Sequence, residues 1–288
     1  MNPALRELGF GPRDRVAIVH ADDVGMCQAT IPAFLDLLDA GLATSGSTMP
    51  PCPWFPAAAK IRRDDPSIDL GVHLTFTSEW TAYRWRPLSP QAPGSGMIDG
   101  DGYFHATQEA FQQAADCAAV QREIEAQLAC AAAAGLDPTH VDNHMFSLLT
   151  PRLFPMYRDA AARLSVPILL FRQRLIDGVA EMSACLDGEG LPVFDTLAMP
   201  YSRNHVLTID FAKALFDGLP PGLSTILLHP SRDSAELRAI TPQWRFRVKE
   251  YDVFRDSRLR KHVKSIGIQL IRYADLGRVM RKAVSRHA

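Results

Sequence analysis

The sequence predicts an α/β fold built on a parallel sheet, and three observations predict it. Short β-branched or aliphatic runs alternate with longer stretches of helical spacing, the pattern of successive βα units. Gly41 and Gly135 stand where helix C-caps belong. Unusual polar residues gather at the ends of the apolar runs, as they do where α/β strands deliver their C-termini to one face.

The elements follow in order. A strand over 15–22 is carried by Val16, Ala17, Ile18 and Val19, and a helix over 28–41 aligns Ile31, Phe34, Leu35 and Leu38 on one face. Strands over 43–48 and 68–75 flank a helix over 53–63. A helix over 117–134 leads to a strand over 138–143, and a helix over 151–164 to a strand over 167–172, which Pro167 enters at the one position where a missing N–H is tolerated. The helix over 208–217, the strands over 223–229 and 266–271 and the helix over 273–285 complete the alternation. Two long segments interrupt it, 78–107 and 174–208. Both carry aromatics (Trp80, Tyr83, Trp85, Tyr103, Phe104; Phe194, Tyr201), so they read as functional loops inserted in one barrel-sized domain over 1–288.

Composition narrows the class. Of 288 residues, 47% are hydrophobic and 22% charged, a balance that buries a large core and is unlike disorder. A net charge of -1, with no basic block beyond the scatter Arg278, Arg281, Lys282 and Arg286, argues against nucleic acid as a partner. No apolar run is long enough to span a bilayer, and the segment from Met1 to Arg15 lacks an apolar leader core, which predicts a cytoplasmic protein. The five cysteines (Cys27, Cys52, Cys117, Cys130, Cys185) are widely spaced, with no C-x-x-C, and predict reduced, mostly buried thiols. Trp54 and Phe55, as apolar loop residues, allow a homodimer.

The polar residues at strand ends are the informative ones. The first strand closes on His20-Ala21-Asp22-Asp23-Val24-Gly25, and adjacent buried acids need a cation, a proton or a hydrogen-bond network to hold them, although an Asp in this place also serves as a helix cap. Other strands bring His73, then His140-Val141-Asp142-Asn143-His144, then Arg172, then His229. One histidine beside an apolar run is ordinarily a hydrogen-bonded core residue; several strands each ending in Asp, His or Arg point to a site. Asp23, His73 and His144 form a donor set suited to one divalent metal ion, with Zn²⁺ and Mg²⁺ both open. His140 reads as a neighbour and Asp142 as an acceptor behind a ligand.

These residues resemble the YdjC-like carbohydrate deacetylases. The likeness rests on Ala21-Asp22-Asp23-Val24-Gly25, Gly41-Leu42-Ala43-Thr44-Ser45, Gly71-Val72-His73-Leu74-Thr75, His140 to His144, Arg172, His229-Pro230, Arg247 to Asp252, Ile266-Gly267-Ile268 and Tyr273-Ala274-Asp275-Leu276. It implies a distorted (β/α) barrel of about seven parallel strands, related to the polysaccharide deacetylases. It also implies removal of an acetyl group from an N-acetylated sugar, a chitooligosaccharide or related amino sugar. Carried over, Asp23, His73 and His144 are the metal ligands, Asp22 the general base and His229 the general acid. Arg172 is then expected to orient Asp22 or to hold its charged form by proximity. Trp80, Tyr83, Trp85, Asp142 and Phe146 are the candidate substrate-binding residues, with Arg84 and Arg86 beside them. The chain departs from the family pattern at His20, usually Asn, at Val24, usually aromatic, and at Phe146, where a second histidine is usual. Two other readings stand at this stage: a glycoside hydrolase using Asp22 or Asp142 opposite Glu79, and a carbohydrate-binding relative without turnover.

Overall fold

A computed structural model describes residues 2–92, 94–200 and 207–287. The elements run α1 (Pro3–Glu7), β1 (Arg15–Val24), α2 (Thr30–Asp39), β2 (Ser45–Thr48), α3 (Phe55–Asp64), β3 (Leu70–Leu74), α4 (Gln108–Ala114), α5 (Cys117–Ala133), β4 (Val141–Asn143), α6 (Phe154–Leu164), α7 (Val179–Gly188) and β5 (Thr196–Ala198). They continue with α8 (Ile209–Asp217), β6 (Gly222–Leu228), α9 (Ala235–Ile240), α10 (Trp244–Phe254), α11 (Ser257–Ser265), β7 (Gln269–Leu270) and α12 (Tyr273–His287).

All strand pairs are parallel, in the order β4-β3-β2-β1-β6-β5, and β7 adds to the start of β1. The two ends of this path approach each other through the segment 167–172: Val141 bridges Ile168, and Phe171 bridges Phe194 just before β5. The result is the expected distorted barrel, closed on one side by isolated bridges rather than by a continuous ladder. The segment 167–172 occupies the place foreseen for it without forming a regular strand.

Alternation along β1 sorts its side chains. Ala17 and Val19 face outward into a cluster with Leu37 of α2, Phe216 of α8 and Phe254 of α10, while Val16 and Ile18 join the larger cluster that also takes Val72, Val141 and Phe171. Gly41 and Gly135, with φ of +70° and +73°, follow α2 and α5 in the left-handed conformation that stops a helix.

Several expectations need correction. The segment 174–208 is no unstructured loop: it holds α7 and β5, and Tyr201 lies outside the described residues. Helices α1, α4, α9, α10 and α11 are likewise additional to those the sequence predicts. Phe55 is 2% exposed, so of the pair offered as a dimer surface only Trp54, at 37%, is at the surface. Only Cys27 and Cys52 are buried; the other thiols are partly exposed. Among the described residues no helix is long and apolar enough to cross a membrane.

Candidate active site

The site is made by an irregularity. In a regular strand Asp22 and Asp23 point to opposite faces. Here the pairing of β1 with β2 slips between Ala21 and Val24, and Asp23 takes a left-handed φ of +61°, so the bulge turns both carboxylates to the inside of the barrel. A second strained turn follows β4, where Met145 and Phe146 have φ of +54° and +51°, at a cost of roughly 1–2 kcal/mol each. His144 opens this turn, directly after β4.

Three donor atoms then meet. Asp23 Oδ1 lies 3.5 Å from His73 Nε2 and 3.2 Å from His144 Nδ1, and the two nitrogens are 3.3 Å apart. Around a small divalent ion with tetrahedral bonds of ~2.0–2.2 Å, neighbouring donors stand roughly 3.3–3.6 Å apart, so the triangle fits.

Hydrogen bonds behind the donors fix their roles. His73 Nδ1 faces Asp142 Oδ1 at 2.8 Å and must donate to it, which leaves Nε2 for the site. His144 Nε2 faces Glu79 Oε2 at 3.1 Å and donates in turn, leaving Nδ1. The second oxygen of Asp23 accepts from Arg247 Nη2 of α10 at 2.7 Å, leaving Oδ1, which has no hydrogen-bond partner. Each ligand thus presents one uncommitted atom to the same point.

The electrostatics call for positive charge there. Burial alone favours a neutral imidazole at His144, but Glu79 and Asp23 overcome it and push the group up to about 10. His73 is also raised against its burial, chiefly by Asp142. Burial opposes the charge on Asp23, yet Arg247 and His144 hold its carboxyl well below the usual range. A cation satisfies these acids, whether as protons on the imidazoles or as a metal ion. Two further groupings of possible ligands, His20–His140–Asp142 and Asp22–His73–Asp142, are also close enough in space. In both, His20 Nε2 or His73 Nδ1 is already engaged with Asp142, so the Asp23–His73–His144 set fits a metal best.

The remaining predicted residues separate into two groups. His229, following β6, puts Nε2 3.8 Å from Asp22 Oδ2. Burial lowers its basicity, against the pull of Asp23. His229 and Trp80 line a cavity of about 300 Å³ with Asp23, Glu79, His144, Met145, Gln243, Phe246 and Arg247. The others do not reach it. Arg172 is bound by Asp187 of α7 and by Asp195 at 3.0 Å, beside Gly222 at the opposite end of β6 from His229, so it can neither orient Asp22 nor hold its charged form. Trp85 is 3% exposed, its Nε1 donates to Thr77, and its ring packs on Trp80 and Tyr83 beneath the cavity. Tyr83 donates to the Met26 carbonyl. Asp142 is sealed among His20, Ser47 and His73. Phe146 stacks edge-on to Phe171, and Met145 stands at the cavity wall instead. Arg84 pairs with Asp99, and Arg86 lies over Tyr103. His140, set apart as a neighbour, stacks on Tyr273 at 3.8 Å.

Sequence reasoning assigned no role to Arg247, and gave Glu79 one only as a glycosidase acid. Glu79 had a signal, since it follows the His73 strand by a few residues. Arg247 had none beyond its place in the closing motif. Arg172→Ala is expected to lower stability by about 1–2 kcal/mol through its lost ion pairs and to leave kcat within about twofold, measured by thermal unfolding and steady-state turnover.

Fold and site together define a parallel α/β barrel with a buried Asp-His-His donor set at the C-terminal rim of its strands. The chain belongs to the YdjC-like protein family, whose model matches residues 16–265. It is 35% identical over 258 residues to a carbohydrate deacetylase of Thermus thermophilus, covering 86% of this chain and 88% of that one. With a carbohydrate deacetylase of Geobacillus stearothermophilus the identity is 28%, over 91% and 98% of the two chains. The crystal structure of a putative cellobiose-phosphate cleavage protein from Enterococcus faecalis shares the fold, with a TM-score of 0.80 at 22% identity over 91% of this chain and 99% of the other.

Proposed function

We propose that this chain is a metal-dependent carbohydrate deacetylase, which hydrolyses the acetamide of an N-acetylated sugar such as a chitooligosaccharide. The observation that carries the reading is the convergence of His73 Nε2, His144 Nδ1 and Asp23 Oδ1, each with its other polar atom engaged elsewhere. Family membership supplies the substrate class, since relatives across nearly the whole chain are named carbohydrate deacetylases.

An amide yields to water only if the water is activated, the carbonyl polarised and the leaving nitrogen protonated. Asp23, His73 and His144 would hold a divalent ion such as Zn²⁺ or Mg²⁺, which would supply Lewis acidity and lower the pKa of water. Asp22 accepts the proton of the attacking water. His229, whose Nε2 stands 3.8 Å from Asp22 Oδ2 at the cavity wall, is reached by that proton through one bridging water and passes a proton to the departing amine. Trp80 and Phe246 offer apolar faces in the cavity on which a sugar ring can lie. A two-carboxylate glycosidase mechanism, with Asp22 or Asp142 opposite Glu79, finds Asp142 engaged on His73 and Glu79, the acid common to both pairings, engaged on His144.

The test is acetate release from N-acetylglucosamine oligomers before and after chelation. Stripping the metal is expected to reduce the rate at least 100-fold, and readding Zn²⁺ or Mg²⁺ to restore it. Equal rates for stripped and loaded protein, or shortened sugars in place of acetate, overturn the reading.

A further inference from the structure

We propose that His20 is a positioning residue for the general base, a buried imidazolium that ties Asp22 to Asp142 and holds its Oδ2 toward His229. The inference rests on the deacetylase reading for the role of Asp22, but the state of His20 follows from geometry alone.

His20 is fully buried. Its Nδ1 faces Ser45 Oγ at 3.1 Å, and that hydroxyl donates its own proton to Asp69 Oδ1 at 2.7 Å. Asp69 also receives Thr139 Oγ1 and the Ala274 N–H, so it is the acceptor of the chain. Ser45 can therefore only accept from His20, and Nδ1 must carry a proton. On the other side Nε2 is hydrogen-bonded to Asp142 Oδ2 at 3.0 Å and meets Asp22 Oδ1 at the same 3.0 Å. Ser47 Oγ, 3.2 Å away, donates to the same Asp142 oxygen. Every neighbour of Nε2 is thus an acceptor, and Nε2 must also carry a proton.

A ring protonated on both nitrogens is a cation between two carboxylates. Without it Asp22 and Asp142 repel each other in a dry interior, and one has to move or take up a proton. Asp22 Oδ1 has no aligned hydrogen bond of its own, so the ion pair with His20 is what anchors that oxygen. The anchored carboxylate presents Oδ2 to His229. The neutral amide of an asparagine in this place cannot supply this charge.

The experiment uses the full chain, metal-loaded, as wild type and His20→Asn. The variant is expected to lose about 10- to 100-fold in kcat on N-acetylglucosamine oligomers, with KM and bound metal within twofold of wild type, the pattern of a displaced base. In parallel, ¹⁵N-histidine labelling at pH 8 is expected to show both ring nitrogens of His20 protonated in wild type, the signals being assigned within wild type by through-space contacts to Ser45 and Tyr273. The spectrum judges His20 even if the variant does not fold, and even if wild type releases no acetate, a result that overturns the functional reading instead. A neutral His20 ring overturns the proposal, as does unchanged kcat or a loss of kcat matched by lost metal.

Discussion

His73→Ala and His144→Ala are each expected to lose bound metal and to lower acetate release by about 10³-fold or more. Each change removes one of three donors and leaves the group behind it exposed to a new problem. Without His73, Asp142 loses the partner of its Oδ1 in a site with no solvent access. Without His144, Glu79 loses its imidazole and stays largely buried. The variants therefore have to be compared for metal content by elemental analysis after their folding is confirmed. The same residues set a pH dependence. In the metal-free site His144 is pushed up to about 10, so at neutral pH a proton occupies the nitrogen that the metal requires. Metal binding has to displace it, which means affinity falls as pH falls and binding releases protons. Calorimetry in buffers of different ionisation enthalpy reads that release directly. Binding with no proton release, or metal retained in His144→Ala, contradicts the assignment.

Asp22→Asn is the complementary case. The amide keeps the shape of the carboxylate and accepts no proton, so turnover is expected to fall by about 10²-fold or more while metal content and KM stay near wild type. Asp23 next to it is held separately, by Arg247, which is why the two neighbouring acids should behave differently. An Asp22→Asn variant that loses its metal would make Asp22 a ligand; one with full activity would leave the base unidentified.

The fold was legible where long periodic signals exist. The run Val16 to Val19, and the helical stripes of α2, α5 and α6, are set by burial patterns that a sequence displays directly. The convergence of Asp22, Asp23, His73, His144 and His229 was legible because parallel strands deliver their ends to one rim. The bulge was not, since it is a property of how β1 pairs with β2 and of one backbone dihedral at Asp23. Arg172 was misplaced because its partners come from α7 and the approach to β5, elements hidden in a segment read as loop. The stripe Val179, Met182 and Leu186 was present there, but a strand as short as β5 offers too few residues to show a period. Trp80 and Trp85 look alike in sequence. One lines the cavity and the other braces it from below, because the backbone between them turns so that Trp85 reaches the Thr77 carbonyl.

Anomalous diffraction at the zinc edge, from crystals of the metal-loaded chain, locates the bound ion. One strong peak is expected within bonding distance of Asp23 Oδ1, His73 Nε2 and His144 Nδ1. A peak instead among His20, His140 and Asp142, or zinc bound only at the protein surface, contradicts it.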